Sequence, residues 1–361
     1  FADLGHDVTI LAMNTSKHYF DQQDIPKDIQ ENIRFITVDT DTRIALFPAL
    51  KNLLTSDLPY NAQRFITRAF SQRLIKLLKN EVFDIIQLEG LYVAPYIEDI
   101  RKESRALVSM RAHNVEHEIW ERTLKQSRFL KRKYLRILTD RIRRMEEHYL
   151  NLYDVLVPIT ERDGNRFREM GCRIPVFHAP TGIFSRELNP DRSAIEFPSV
   201  FHIGALDWSP NQEGIYWFLD NVWPELHRLH PDLKFYIAGR NAPPHISNLK
   251  RPGVIFIGEV EDAYDFMRSK AIMIVPLLSG SGMRIKIIEG MALGKAIVST
   301  SIGSEGISTT HGKELLIADD PVNFTKEING LLENFDKFDR LGKNAVDFVN
   351  NNYDNVVITR S

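Results

Sequence analysis

The stretch "GSGMRIKIIEGMALGKAIVST", residues 280–300, combines a glycine-rich turn, two cations and the start of a predicted helix. It follows the apolar run "AIMIVPLLS" (271–279), which is typical of a buried strand, and Gly294 is predicted to end the helix. Arg284 and Lys286 fall in the first turn of this helix, where unpaired backbone N–H groups and the helix dipole disfavour cations. A strongly anionic ligand would stabilise such a turn, and a diphosphate has the required charge.

Glu289 lies further along the same predicted helix, among apolar neighbours that include Ile287, Ile288 and Met291. A carboxylate in such surroundings is costly to bury unless it accepts hydrogen bonds, and the diol of a sugar would supply two donors. The alternative is that Glu289 belongs to a capping network and forms a surface salt bridge with a basic neighbour.

Two familiar phosphate-binding loops do not match this stretch. In "GMALGKA" only three residues separate Gly290 from Gly294, and Ala296 stands where a Walker A loop needs Ser or Thr. "GSGMRI" begins like a dinucleotide-binding fingerprint, but Ile285 occupies the position of the third glycine. The sequence therefore indicates a phosphate site of another kind.

Composition restricts the class of protein. A chain of 361 residues with 43% apolar and 26% charged residues is typical of a globular protein of two domains. Its net charge of −2 argues against a nucleic-acid partner. The single cysteine, Cys172, cannot form an internal disulfide and favours a reducing compartment. No apolar run reaches the length of about 18 residues that a membrane-spanning helix needs.

Short β-branched runs alternate with helical stretches along the whole chain, which predicts doubly wound α/β domains with parallel sheets. Because the sequence opens with "FADLGHDVTI", in what resembles the last turn of a helix, we expect the first strand of the first domain to be missing. The proline-rich segment 179–199 is the candidate linker. The predicted strands are "VTILAM", "IRFITV", "DIIQLE", "ALVSMRAH", "DVLVPIT", "VFHIGAL", "KFYIAG", "VIFIGEV", "AIMIVPL", "AIVST" and "ELLIAD".

The segment "SGSGMRIKIIEGMALGKAIVSTSIGSEGI" resembles the donor-site segment of family 4 retaining glycosyltransferases, which have the GT-B fold. The stretches "VFHIGALDWSPNQEGIYWFL", "LKFYIAGRN", "VIFIGEVEDAYDFMRSKAIMIVPL" and "RAHNVEH" support the resemblance, which extends over essentially the whole chain. It implies two Rossmann-like doubly wound domains that face a central cleft. The expected boundaries are 1–182 for an acceptor domain, 183–345 for a nucleotide-sugar donor domain and 346–361 for the start of a C-terminal crossover helix.

The resemblance implies a role for most of the donor-site segment. The family carries two glutamates there, and the second matches Glu289, which is expected to bind the ribose hydroxyls of the nucleotide. The first falls on Ser281, so the carboxylate that usually contacts the donor sugar is missing. Backbone amides of Gly282 and Met283 are expected to contact the sugar instead. The stretch "WSPN" together with a "GSGMRIK" segment resembles one branch of the family.

A second departure from the family concerns the loop after "VFHIG". The family usually has an Arg directly after Gly204 and a Lys six residues later, and both bind the diphosphate; this sequence has Ala205 and Asn211 there. Two cations are present instead at Arg284 and Lys286, where the common pattern has Gly and Pro. We therefore expect that the diphosphate-binding charge has moved from one loop to the other and has not been lost.

The resemblance adds two further candidates. Arg240, after the strand "KFYIAG", is expected to contact phosphate or sugar, with a helix cap or an interdomain salt bridge as the alternative. His113, after the strand "ALVSMRA", matches a family histidine near the transferring sugar, where a neutral imidazole could bind a sugar hydroxyl or position the acceptor. His117 is the rival assignment.

The resemblance implies a retaining hexosyltransferase that moves a sugar from a nucleoside-diphosphate sugar to a glycan, lipid-linked or small-molecule acceptor. The alternatives are a catalytically idle nucleotide-sugar binding subunit and a GT-B nucleotide-sugar epimerase. No cofactor and no metal are expected beyond the co-substrate, because cations and helix amides would carry the diphosphate charge. Polysaccharide assembly in a bacterial cytoplasm, at the inner face of the membrane, is the expected setting.

The segment 122–148 predicts one long basic helix with ten Lys or Arg residues against three Asp or Glu residues. The simplest interpretation is a packed helix with a solvated charged face. The alternative is peripheral contact with anionic lipid headgroups or with an anionic acceptor.

Overall fold

The computed structural model describes residues 1–17, 19–127, 129–191, 193, 195–280 and 282–360. Contacts between residues divide the chain into two compact units, Phe1–Ala179 and Pro180–Ser361.

Every predicted β-branched run contains a strand of the structure, because these apolar runs can be covered on both faces only inside a sheet. The strands of the first unit are β1 (Val8–Thr15), β2 (Ile33–Thr40), β3 (Ile85–Glu89), β4 (Leu107–Ala112) and β5 (Val155–Pro158). Those of the second unit are β6 (Glu196–Ile203), β7 (Lys234–Ala238), β8 (Val254–Gly258), β9 (Lys270–Val275), β10 (Ala296–Ser299) and β11 (Leu316–Ile317). All pairings between these strands are parallel. The α/β fold class is confirmed.

Helices alternate with the strands in both units. In the first unit they are α1 (Lys27–Asn32), α2 (Leu46–Thr55), α3 (Tyr60–Gln63), α4 (Arg68–Asn80), α5 (Ile97–Glu103), α6 (Glu116–Gln126), α7 (Phe129–Tyr149) and α8 (Glu161–Glu169). In the second they are α9 (Ser209–Asn221), α10 (Trp223–Leu229), α11 (Pro244–Ser247), α12 (Ala263–Ser269), α13 (Ile285–Ala292), α14 (Pro321–Glu333), α15 (Phe335–Asn352) and α16 (Asn355–Arg360). No helix among the described residues has both the length and the apolar composition needed to cross a bilayer.

The sheet of the second unit has the strand order β11–β10–β9–β6–β7–β8. The chain starts in the middle of the sheet at β6, moves to one edge and then returns to build the other half from β9 onward. This is the order of a doubly wound Rossmann sheet, in which the direction of winding reverses between β6 and β9. Ligands of such sheets bind where the loops after these two strands separate.

Two apolar clusters cover the faces of this sheet, which explains why its strands are continuously apolar. One cluster includes Phe218, Phe235 and Phe324, and the other includes Phe201, Ile288 and Met291. The strands contribute alternate residues to the two clusters, since successive side chains point to opposite faces. The resulting rigid sheet fixes the ends of β6 and β9.

In the first unit, β3, β4 and β5 form one sheet, while β1 and β2 pair separately. Its core lies between the three-stranded sheet and the helices, with Val108, Ile100 and Ile142 almost fully buried. The carboxyl ends of β3 and β4 are adjacent, because Glu89 pairs in register with Arg111.

Three predicted boundaries differ from the structure. The helix expected over 122–148 is two helices, since α6 ends at Gln126 and Ser127 is extended. The candidate linker 179–199 overlaps the start of β6, which begins at Glu196. The last helix was expected to start at 346, but residues 346–352 complete α15, whose buried Leu341, Ala345 and Val349 hold it against the second unit.

Candidate functional site

Arg284 lies at the N-terminal cap of α13, in the loop that joins β9 to this helix. Its guanidinium donates a hydrogen bond to the carbonyl of Gly282 and lies 5.3 Å from the centre of the Trp208 ring, a cation–π contact. Gly280 has φ of 113°, and a Cβ there would lie only 2.8 Å from Arg284 Nη2. The glycines of the loop therefore allow the buried guanidinium to pack against its own turn and against the loop after β6.

Lys286 reaches from the first turn of α13 to the carboxyl end of β6. Its Nζ donates to the carbonyl of Ile203 and to Oδ1 of Asn211, both at 3.1 Å. Asn211 is buried near the start of α9, and its Nδ2 donates to the carbonyl of Ala205 at 2.8 Å. A Cβ at Gly204 would lie 3.0 Å from Asn211 Nδ2 and 3.2 Å from Lys286 Nζ. Glycine therefore leaves room for the ammonium and the Asn211 amide, which a side chain at this position would crowd.

The hydrogen bond to Ile203 places the ammonium of Lys286 at the point where the winding of the sheet reverses. Lys286 follows β9, and the carbonyl that it binds ends β6. In the family, the loop that begins at Gly204 supplies the phosphate-binding cations. In this chain the ammonium of Lys286 arrives at that loop from α13, beside Asn211.

The described hydrogen-bond acceptors of Lys286 are neutral. Among the described residues, no carboxylate forms an ion pair with it, although its side chain is partly buried. Burial lowers the pKa of Lys286, and the adjacent charge of Arg284 lowers it further, to about 7. Two cations at the start of one helix destabilise each other, and an anion placed beside them would relieve the repulsion.

His202, on β6, is a second buried titratable group beside this lysine. It is fully buried, and its Nδ1 lies 3.3 Å from the carbonyl of Ile274. Burial lowers the pKa of His202 well below its ordinary value, and the charge of Lys286 lowers it further. The imidazole is therefore neutral and adds no positive charge to the site.

Glu289 accepts a hydrogen bond from the hydroxyl of Tyr264, with 2.9 Å between the oxygens. Burial raises the pKa of Tyr264, and the bond to the carboxylate raises it further, to about 12, so the phenol remains a donor. Asp262 caps α12 and fixes the backbone that carries this tyrosine. Within the described part of the chain, Glu289 has no salt bridge with a basic residue, so the alternative of a surface pair is not what the structure shows.

The side chains of the remaining candidate residues of the second unit are held by fewer described contacts. Ser281 lies outside the described residues. Gly282 is in the left-handed region with φ of 83°, and Met283 packs against the apolar cluster below α13. The side chain of Arg240 is exposed, and its carbonyl accepts a hydrogen bond from the N–H of Leu206 at 2.9 Å. The structure therefore does not bring the Arg240 side chain into a contact with the other candidates.

In the first unit, His113 follows β4 and is paired with Glu89, which ends β3. The distance from His113 Nε2 to Glu89 Oε2 is 2.8 Å, and both side chains are about half exposed. Partial burial raises the pKa of Glu89, but the hydrogen bonds from His113 and Gln87 outweigh this effect and hold the pKa below its ordinary value. Because an ionised carboxylate can only accept, Nε2 is the donor, and Nδ1 of a neutral His113 is left as an acceptor.

The rival histidine, His117, has a structural environment. It is 1% exposed, and its Nδ1 contacts the carboxylate of Glu146, which also accepts from the backbone N–H of Glu116. The side chain of Glu116 accepts from Tyr92, and burial raises the pKa of this carboxyl. His117 is thus enclosed, whereas the imidazole of His113 is open to a ligand.

Three residues that contact the candidate site residues were not identified from the sequence. Trp208 and Tyr264 gave no local signal, because each acts on a residue of the 280–300 segment that is distant in the chain. Glu89 could have been found: the run "DIIQLE" ends with it, and polar residues at the ends of adjacent parallel strands meet at one edge of a sheet.

Comparisons with known proteins show what the second unit and the fold resemble. Residues 197–334 match the family model described as "Glycosyl transferases group 1". An uncharacterized 44.6 kDa protein in the cps region of Klebsiella pneumoniae is 25% identical over 375 residues, covering 97% of this chain and 88% of that protein. Residues 197–334 of the second unit are therefore similar to a group 1 glycosyltransferase domain.

Two solved structures resemble the whole chain. HepE of Anabaena, in complex with UDP-glucose, has a TM-score of 0.65 at 13% identity and covers 98% of this chain and 97% of its own. Sucrose-phosphate synthase from Thermosynechococcus elongatus has a TM-score of 0.65 at 14% identity and covers 99% of this chain and 88% of its own. At such identities the likeness shows the fold, which is GT-B with two Rossmann-like domains. The narrower assignment to family 4 stays a prediction.

Proposed function

We propose that this protein is a retaining glycosyltransferase that moves a sugar from a nucleoside-diphosphate sugar to a glycan, lipid-linked or small-molecule acceptor. The observation that carries the proposal is the position of Lys286. Its partly buried ammonium lies at the winding reversal of the donor-domain sheet, beside Arg284 and without a carboxylate partner among the described residues. A diphosphate is the anion whose charge matches two cations and a helix N-terminus.

The chemistry requires stabilisation of the charge that develops on the departing diphosphate. Arg284 and the protonated form of Lys286 supply positive charge, and the N-terminus of α13 adds the positive end of a helix dipole. Since these groups can carry the charge, we propose that the reaction needs no divalent metal. Turnover that persists in excess EDTA would support this, and loss of turnover with EDTA would contradict it.

The other candidates complete the proposed donor site. Glu289, oriented by Tyr264, would accept hydrogen bonds from the ribose hydroxyls, and the backbone amides of Gly282 and Met283 would contact the sugar. UDP is the first nucleotide to test, because HepE was crystallised in complex with UDP-glucose. The relative in a cps region supports polysaccharide assembly as the setting.

The test combines binding with turnover. A bound nucleotide should raise the melting temperature, so UDP, GDP and ADP are compared in a thermal-shift assay. The matching nucleotide sugar is then incubated with a panel of acceptors, and the released nucleoside diphosphate and the anomer of the product are measured. Acceptor-dependent release with the donor's anomeric configuration supports the proposal. Nucleotide binding without release of nucleoside diphosphate would indicate an idle binding subunit. Conversion of the donor in the absence of an acceptor would indicate an epimerase. If no nucleotide bound, the transferase, the idle subunit and the epimerase would all be contradicted.

Arg284→Ala should weaken nucleotide binding by about 1.5–3 kcal/mol, the range for a hydrogen bond to a charged group. Two contacts of the guanidinium, with Gly282 and with Trp208, lie in the loops around the site and not in the apolar core, so the fold should survive the change. Isothermal titration with UDP checks the prediction, with Arg340→Ala, at an exposed arginine of α15, as the matched control. Wild-type affinity of Arg284→Ala would remove this residue from the site.

His113→Ala should lower kcat by about tenfold or more, because an acceptor for a substrate hydroxyl is lost. Nucleotide affinity should change by less than twofold, since we propose that His113 contacts the acceptor or the transferring sugar. Glu89→Gln should lower kcat in the same direction, because the carboxylate no longer imposes the tautomer with Nδ1 as acceptor. The exposed His6→Ala is the control. Unchanged turnover of His113→Ala would contradict the assignment.

A further inference from the structure

Trp208 lies in the loop between β6 and α9, directly before the first residue of the helix. Its N–H donates to the carbonyl of Ala205 at 3.4 Å, and its own carbonyl accepts from the N–H of Asn211 at 3.0 Å. Leu206, two residues earlier, is fully buried and anchors the loop in the core of the second unit. The loop therefore presents the indole in a fixed position, where it is 37% exposed.

The indole packs against the turn that precedes α13. The guanidinium carbon of Arg284 lies 5.3 Å from the centre of the ring. A Cβ at Gly280 would lie 3.2 Å from Cη2 of the indole and 2.8 Å from Nη2 of Arg284, so a side chain at this position would crowd both groups. The hydroxyl of Ser279 donates to Glu213 of α9 at 2.6 Å. The turn before α13 is therefore joined to the start of α9 by the indole as well as by a polar contact.

Repulsion from a neighbouring cation tends to displace the guanidinium of Arg284. Burial lowers the pKa of Lys286, and the charge of Arg284 lowers it further, which shows that the two cations lie close together. An arginine side chain has many rotamers, and in a solvent-exposed rotamer water would hydrate its charge. Yet the Arg284 side chain is buried, with 7% of the residue exposed. Neighbouring groups therefore hold the guanidinium beside Lys286, and the indole is one of them.

An aromatic ring can hold an arginine without neutralising it. The face of an indole carries partial negative charge and attracts a guanidinium, but the ring has no net charge. A carboxylate in the same place would form a stronger pair and would cancel the charge of the arginine. The indole leaves the positive charge of Arg284 available to an anionic ligand.

We propose that Trp208 is a positioning residue of the donor site, which holds the guanidinium of Arg284 through its aromatic face in the place where the diphosphate binds. This role rests on the proposed function, because it assigns Arg284 to the diphosphate. The indole would act through the arginine and not by touching the ligand. Its effect on nucleotide affinity should therefore depend on the presence of Arg284.

The test is a double-mutant cycle, in which isothermal titration measures the binding of UDP and of pyrophosphate. Trp208→Leu keeps an apolar side chain but removes the aromatic face, and it should weaken the binding of both ligands about three- to thirtyfold. Trp208→Phe keeps a smaller aromatic face and should weaken binding less. In the Arg284→Ala background, either change at Trp208 should alter the affinities by less than about twofold. Trp217→Phe, at a tryptophan of α9 that packs on Phe324 in the core, is the matched control.

A second measurement reports the contact in the protein without a ligand. The chain has four tryptophans, and the difference in emission between the wild type and Trp208→Phe isolates the contribution of Trp208. Acrylamide should quench this contribution more strongly when Arg284→Ala removes the guanidinium that covers the ring. Equal quenching with and without Arg284 would contradict the contact on which the proposal depends.

The results separate the role of Trp208 from the proposed function. If the wild type binds neither a nucleoside diphosphate nor pyrophosphate, the proposed donor site and the role of Trp208 are both refuted. If the wild type binds UDP and Trp208→Leu binds it equally well, only the role of Trp208 is refuted. The same holds if Trp208→Leu weakens UDP binding equally in the Arg284→Ala background, because the indole would then contact the ligand directly.

The aromatic face is tested by the order of the variants. Equal losses of affinity in Trp208→Phe and Trp208→Leu would show that the face of the ring does not hold the guanidinium. Circular dichroism checks that each variant is folded. If Trp208→Leu does not fold, Trp208→Phe alone is measured with and without Arg284, and a loss that does not depend on Arg284 overturns the proposal.

Discussion

Replacement of Lys286 by methionine should abolish tight binding of nucleoside diphosphate and, with it, the dependence of that binding on pH above neutrality. Methionine keeps most of the aliphatic stem but removes the charge that lies at the end of β6. Losing a charge-assisted contact with a phosphate costs about 1.5–3 kcal/mol, and the helix N-terminus and Arg284 remain. We therefore expect a decrease in UDP affinity of about tenfold to a hundredfold at pH 7.

The pH dependence follows from the lowered pKa of Lys286, about 7 in the free protein. A diphosphate favours the protonated ammonium, so above pH 7 binding must be accompanied by proton uptake. UDP affinity should then fall by up to about tenfold per pH unit between pH 8 and 9.5. The nearby His202 is neutral over this range, because burial and Lys286 lower its pKa, and Arg284 stays charged.

The lowered pKa of Lys286 also predicts how the stability of the free protein depends on pH. This dependence has the opposite sign to that of UDP affinity. The unfolded chain holds the proton of this lysine up to its ordinary pKa of 10.5, whereas the folded chain releases it near 7. Because the unfolded state binds more protons in this window, the lysine contribution to the free energy of unfolding rises with pH from about 7 to 10.5. UDP should reduce this rise, since it restores the proton to the folded state.

Isothermal titration with UDP from pH 7 to 9.5 checks these expectations, in buffers with different ionisation enthalpies to count the proton taken up. Lys326→Met, an exposed lysine of α14, is the matched control and should behave like the wild type. A wild type whose affinity and proton uptake do not change across this range would show that Lys286 is not the group that binds the diphosphate.

Glu289→Gln should damage binding of the nucleoside while leaving binding of free pyrophosphate nearly intact. The carboxylate accepts from Tyr264 through one oxygen, which leaves its second oxygen for the ribose hydroxyls. Glutamine is of the same size and can still accept from Tyr264, but it has lost the charge. Hydrogen bonds to a charged acceptor are worth about 1.5–3 kcal/mol, so UDP affinity should fall by at least about tenfold.

The comparison of two ligands makes this prediction specific. UDP and pyrophosphate are titrated into the wild type, Glu289→Gln, Tyr264→Phe and the exposed control Glu333→Gln. Tyr264→Phe should also weaken UDP binding, but by less than Glu289→Gln, because Glu289 loses only the hydrogen-bond donor that orients it. If Glu289→Gln weakened the binding of UDP and of pyrophosphate equally, the carboxylate would be maintaining the fold of the loop and not binding the ribose.

Much of the fold could be predicted from the sequence because its signals are local. A parallel strand covered on both faces must be apolar throughout, and each of the predicted runs therefore contains a strand. The turn before α13 was recognised in the same way, since its glycines and the helix that follows are adjacent in the chain. Helix ends were less certain: the basic segment 122–148 is interrupted near Ser127, where periodicity continues across the break.

The candidate site was predicted in part. Arg284, Lys286 and Glu289 follow β9 in the structure, at the loop and helix that the sequence predicts, and their role in binding stays a prediction. Two of their environments could not be foreseen. Arg284 packs on Trp208 and its own turn, while Lys286 is the cation that reaches the end of β6.

The sequence alone determined the alternation of strands and helices, the glycine-rich turn before α13 and the unusual location of its cations, because each of these depends on residues that are close in the chain. The tertiary structure decided which partners those residues have. Lys286 binds a carbonyl that lies 83 positions away, and Glu289 binds a hydroxyl 25 positions away. Such contacts depend on the order in which strands join the sheet, and hydrophobic periodicity carries no information about that order.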